Sequence, residues 1–150
     1  MECDICAVKN LIYRYADCID RGDLQSVADL FSHGRIIALD EAGGETDIVG
    51  AEAVHGLYVS FTRLYEDDGS PHTLHVTTNV IVDVDPDGQA ASARSYAVVF
   101  QAVDGFPLQP IIGVRYYDRF EKAGGDWRFS ERKIETRMAG DLSRHLLRPV

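Results

Sequence analysis

The chain has 150 residues, 24 of them acidic and 15 basic, for a formal net charge of −9 at neutral pH. With 45% hydrophobic and 26% charged residues it reads as one globular domain spanning 1–150, which excludes collagen-like, low-complexity and disordered classes. Its acidity, with no run of Lys or Arg, argues against a nucleic-acid partner and favours a small neutral or weakly polar ligand.

No segment approaches the roughly 18 consecutive apolar residues of a membrane span, and Met1-Glu2-Cys3-Asp4 lacks the features of a secretory signal, so a cytoplasmic location is expected. The three cysteines, Cys3, Cys6 and Cys18, include one CxxC and no second one to complete a zinc site. Unpaired reduced thiols are the expectation.

Residues 4–20 place Ile5, Val8, Ile12, Tyr15 and Ile19 in one stripe, which predicts a helix. Gly22 can end it in the left-handed conformation, and Asp23 can cap a short second helix carrying Leu24, Val27, Ala28, Leu30 and Phe31. Two short strands, at 36–39 and 46–49, flank Glu41-Ala42-Gly43-Gly44, and a third helix fits 51–64 before Asp67-Asp68-Gly69-Ser70-Pro71 stops it. Four runs rich in Val, Ile, Tyr, Phe and Thr follow, at about 72–84, 91–103, 110–121 and 126–137, separated by turn sequences. Helices first and a long meander afterwards predict an α+β domain, its curved, mostly antiparallel sheet packed with the N-terminal helices around a pocket.

Of the five histidines, His75 is the best placed. Strict alternation along 72–84 puts Leu74, Val76, Val80 and Val82 on one face and Thr73, His75, Thr77, Asn79 and Ile81 on the other. If the second face lines a pocket, His75 is a base or acid presented to a ligand; otherwise it is a half-buried histidine held by a backbone carbonyl. His33, His55, His72 and His145 read as surface groups, and no pair has metal-ligand spacing, so no metal is expected.

Asp20 is the orienting carboxylate candidate. Carboxylates are unfavourable at a helix C-terminus, so local stability does not recommend it there, and it lies beside the apolar stripe facing the sheet. A solvated helix-end carboxylate is the competing reading. Tyr13 and Tyr15 could each offer a phenol to a ligand oxygen, although packing explains Tyr15 more economically. Asn79 is a further ligand-binding candidate. Arg115, Arg119 and Arg132 read as surface charges on strands, and Trp127 and Phe129 as core. Phosphate-binding, dinucleotide and nucleophile-elbow motifs are absent, so no cofactor is expected.

Three stretches carry a resemblance: Tyr15-Ala16-Asp17-Cys18-Ile19-Asp20-Arg21-Gly22-Asp23, Leu74-His75-Val76-Thr77-Thr78-Asn79, and Gly113-Val114-Arg115-Tyr116-Tyr117-Asp118-Arg119-Phe120 with Gly125-Asp126-Trp127-Arg128-Phe129. Over nearly its whole length the chain resembles the SnoaL-like group, which includes polyketide cyclases, scytalone dehydratase, a dehydrochlorinase and bile-acid dehydratases on the cone-shaped fold of nuclear transport factor. The resemblance implies a catalytic dyad of Asp20 and His75, and its bile-acid dehydratase side implies a role for Tyr15. It departs at Ile19, where scytalone dehydratase has a tyrosine, and on the strand 91–103, which lacks the expected second pocket histidine. Scytalone is therefore not the expected substrate.

The expected function is a cofactor-independent lyase, cyclase or isomerase acting on a small apolar cyclic, polyketide-like or steroid-like molecule. The alternatives are a non-catalytic binding module on the same pocket and the small subunit of a ring-hydroxylating dioxygenase. The apolar set Leu74, Val76, Val80 and Val82 asks for a cover, which predicts a homodimer or homotrimer.

Overall fold

A computed structural model describes residues 3–40 and 42–148. In chain order it contains α1 (Asp4–Asp20), α2 (Leu24–Asp29), β1 (Arg35–Leu39), β2 (Glu45–Val49), α3 (Gly50–Phe61), β3 (Thr73–Val84), β4 (Ala90–Val103), β5 (Phe106–Ala123) and β6 (Asp126–Ala139). The six strands form one sheet in the order β2-β1-β6-β5-β4-β3. All neighbours are antiparallel except β1 and β6, which run parallel with Ile36 opposite Arg132. The α+β architecture expected from the sequence is the one observed. β5 begins earlier than expected because the turn before it is only Asp104-Gly105, with Val103 opposite Phe106.

The three helices cover one face of the sheet. Val8, Ile12, Tyr15 and Ile19 of α1, Val27 and Phe31 around α2, and Val54 and Tyr58 of α3 join the inward residues of the strands in one core. On β4 those inward residues are Ala91, Ala93, Ser95 and Ala97, whose small side chains let the helices approach. Phe120 and Phe31 both pack on Phe129, with ring centroids 4.6 and 4.9 Å apart, and each buried ring of this kind is worth about 1.5–3 kcal/mol. Among the described residues no helix is long and apolar enough to cross a membrane.

The end of α1 fixes where Asp20 stands. Asp23 N–H donates to the Cys18 carbonyl and Gly22 N–H to the Ile19 carbonyl, the paired bonds of a Schellman motif. Gly22 takes φ +77°, and a Cβ there would run into the Gly69 carbonyl. Asp23 then caps α2 by accepting from Ser26 N–H and Ser26 Oγ at 3.1 and 2.7 Å.

Three expectations are corrected. Asn79 sits at φ +55° in a bulge where the β3–β4 register shifts between Thr78 and Ile81. The extra residue reverses the alternation. His75 consequently shares its inward face with Val80 and Val82, whereas Leu74 (62% exposed), Val76 and Ile81 point outward. Arg132 is fully buried rather than a surface charge. A bulge in β6 between Phe129 and Glu131 turns it inward, opposite Asp118. Cys3 and Cys6 are joined in a disulfide rather than free, because the first turn of α1 brings their Cα atoms to 5.2 Å; Cys18 is free and buried.

Candidate active site

Asp20 is the last residue of α1, and β3 is an edge strand lying beside that helix. Its carboxylate accepts three hydrogen bonds, from Thr73 Oγ1 at 2.8 Å, His75 backbone N–H at 2.7 Å and His75 Nδ1 at 2.6 Å. An edge strand has main-chain N–H groups without a sheet partner, and here one of them is satisfied by the helix-end carboxylate. The three donors offset the unfavourable helix dipole that made Asp20 conspicuous in the sequence. Both side chains are largely withdrawn from water, with 7% of His75 and 15% of Asp20 exposed.

An ionised carboxylate only accepts, so Nδ1 carries a proton, and in the neutral imidazole Nε2 then holds the lone pair. His75 lines a cavity of about 500 Å³ walled by Tyr15 and Ile19 of α1, Leu57, Tyr58 and Phe61 of α3, and apolar sheet residues including Ile36, Val99, Val114 and Ile134. On its other side His75 joins Asp20, Tyr13, Asp17, Leu74 and Thr77 along an outer groove of about 210 Å³. The dyad is therefore part of the wall between cavity and groove.

The tyrosines form the floor. Tyr15 and Tyr58 hydroxyls hydrogen-bond to each other, and the Tyr15 ring meets Tyr58 and Tyr116 edge-on at 6.2 and 5.9 Å. Burial raises the pKa of all three phenols, Tyr15, Tyr58 and Tyr116, above the ordinary tyrosine value. They remain neutral hydroxyls. Beneath them the Arg132 guanidinium lies 4.2 Å from the Tyr15 ring centre and 3.8 Å from that of Tyr116, and binds Asp118 through two bonds of 2.8 and 2.9 Å. Burial opposes the Arg132 charge, but the charge and hydrogen bonds of Asp118 outweigh it and leave the guanidinium pKa raised.

Of the sequence candidates, Asp20 and His75 meet, and Tyr15 lines the same cavity as His75. Tyr13 does not face that cavity; it is 44% exposed beside the outer groove, two residues before Tyr15 and so about 200° around the helix from it. Asn79 is exposed at its bulge and lines neither space. His145, read as a surface group, is a correction in the opposite direction: it is 8% exposed and lines the cavity with Leu142, Leu146 and Arg148. No periodic pattern marks that stretch; only long-range backbone bonds place it. Among the described residues one cluster has the spacing of metal ligands, Asp67, Asp68 and His72, in the loop before β3. His72 Nε2 there already meets Asp67 Oδ1 at 2.8 Å.

The chain belongs to the SnoaL-like family, whose domain model matches residues 3–133. That family includes polyketide cyclases and isomerases. Among solved structures, a protein of unknown function from Mycobacterium tuberculosis is 23% identical, with TM-score 0.72 over 93% of this chain and 79% of its own. An NTF2-like protein with a cystatin-like fold from Novosphingobium aromaticivorans is 21% identical, with TM-score 0.71 over 94% and 86%. A candidate scytalone dehydratase from the same organism is 20% identical, with TM-score 0.69 over 92% and 87%. These likenesses show the fold. No curated protein matches the chain.

Proposed function

We propose that this protein is a cofactor-independent lyase or isomerase in which His75 removes a proton from a small, largely apolar cyclic ketone and Asp20 holds the imidazole in its basic tautomer. The observation that carries this reading is the 2.6 Å bond from His75 Nδ1 to Asp20 at the wall of an apolar cavity of about 500 Å³. A binding module has no need of a buried, triply bonded carboxylate aimed at one ring nitrogen. A general base needs that arrangement, because the partner sets the tautomer and steadies the imidazolium.

On a β-hydroxy ketone the step balances within the site. The lone pair of His75 Nε2 takes the proton next to the carbonyl, the C–H electrons form an enolate, and the β C–O bond breaks. The departing hydroxide takes the proton back from His75 and leaves as water. Without a leaving group, an enolate conjugated with a further double bond takes the proton back from His75 at its far carbon, which is isomerisation. Alternatively, an enolate attacks a second carbonyl of the same molecule and the new alkoxide takes that proton, which is cyclisation. The pre-oriented walls contribute positioning.

The test is dehydration of a β-hydroxylated α-tetralone to the corresponding naphthol, followed by absorbance. The wild type is expected to accelerate it and His75→Ala to lower kcat by about 10²–10⁴ with an unchanged circular dichroism spectrum. Undiminished turnover in His75→Ala would refute the proposal. A homodimer or homotrimer remains part of it, now with Leu74, Val76, Ile81 and Tyr96 on the outward sheet face as the covered set, and light scattering that finds only monomer counts against that part.

A further inference from the structure

We infer that His145 is the electrophilic partner of His75, a neutral imidazole that donates a hydrogen bond to the carbonyl oxygen of the bound molecule. The inference rests on the reading of the dyad above for its catalytic consequence, but its binding consequence stands by itself. His75 cannot hold that oxygen: its Nδ1 proton is committed to Asp20, and Nε2 offers only a lone pair. A carbonyl in the cavity therefore requires another donor.

His145 can supply that donor. Its ring lines the same cavity as His75; Nδ1 is sealed inside the protein without a partner, which leaves Nε2, neither sealed nor bonded, as the nitrogen that can donate to a ligand. The tail holds it there by backbone bonds on both sides. Arg63 N–H donates to the His145 carbonyl at 2.8 Å, Leu147 N–H to the Phe61 carbonyl at 2.8 Å, and Leu146 N–H to the Leu142 carbonyl at 2.9 Å. The Arg144 carbonyl accepts from Tyr65 and Gln101 at 2.6 and 3.0 Å. Leu142 packs with the buried cluster of Val99, Phe106 and Ile111. A tail tied down this way presents a fixed donor.

Its charge state suits the role as well. Burial first, and His75 second, depress the His145 pKa to about 4, against an opposing pull from Asp20. Near neutrality it is an uncharged imidazole, so His75 can become cationic during the reaction without meeting a second cation. The competing donors are the Tyr15–Tyr58 pair, in which one hydroxyl is spent on the other and one proton is left over, and the Arg148 guanidinium and the hydroxyls of Thr46, Thr62 and Thr136, which line the same cavity.

The experiment compares the binding of α-tetralone and of tetralin, the same ring system without the oxygen, by calorimetry. The wild type is expected to prefer the ketone by about tenfold or more, the worth of one good hydrogen bond in a buried site. In His145→Leu the preference should fall to within about twofold while tetralin still binds. His145→Gln, which keeps a neutral donor, should retain most of it. No preference in the wild type, or a preference that survives in His145→Leu, overturns the assignment; its loss in Tyr58→Phe would then hand the role to the tyrosine pair. Because this is an equilibrium measurement, a failed dehydratase assay leaves it standing, and a lost ketone preference leaves the dyad standing.

Discussion

Asp20 grips His75 twice, taking the backbone N–H with Oδ2 at 2.7 Å and the ring Nδ1–H with Oδ1 at 2.6 Å. One carboxylate thus fixes both the position of the strand and the tautomer of the ring it carries.

Asp20→Asn separates those two jobs. The amide can still accept from the backbone, but an N–H turned to the ring favours the tautomer with the proton on Nε2, which cannot act as a base. A fall in kcat of about 10²–10⁴ is expected, with a stability loss of about 1–3 kcal/mol for the charge-assisted bonds. Nitrogen NMR of His75 should show the proton moving to Nε2.

Gly22→Ala acts on the same carboxylate from a distance. The substitution forces a side chain into φ +77° and against the Gly69 carbonyl, so the turn after α1 must shift. The conformational penalty alone is about 1–2 kcal/mol, and urea denaturation should show at least that loss.

The buried pair under the tyrosines predicts an asymmetry. Arg132→Met leaves the Asp118 carboxylate buried without its partner, with an expected cost of about 3–5 kcal/mol. The double variant Asp118→Leu with Arg132→Met should recover most of that loss in the same denaturation assay.

Acid should weaken the fold through His145. Its pKa is about 4 in the native state against about 6.5 when unfolded, so between those values the unfolded chain binds more protons and stability falls as the pH drops. The contribution is complete above about pH 6.5 and is lost down to about pH 4, on the order of 3 kcal/mol in all. Denaturation at several pH values should show this slope in the wild type and a flatter one in His145→Gln.

The extent of α1, the glycine that ends it and the Asp23 cap were legible in the sequence because each depends on neighbours a few residues away. Asp20 and His75 stood out for a similar reason, one as a carboxylate at the wrong end of a helix and the other as a polar group within a strand. Asn79 shows where alternation fails: a single bulge inverts every side chain beyond it, and its only local mark is the tolerance of asparagine for positive φ. Arg132 was hidden by the same kind of irregularity in β6. His145 was illegible for a different reason, since bonds to Phe61 and Arg63, some 80 residues earlier, decide its place.

The matched family domain ends at residue 133, while Thr136, Leu142, His145, Leu146 and Arg148, which all border the cavity, come after it. One side of the cavity thus belongs to a stretch of chain separate from the strand that holds the base. A lineage could exchange its ligand by rewriting that stretch alone, keeping the proton chemistry intact while trying new occupants.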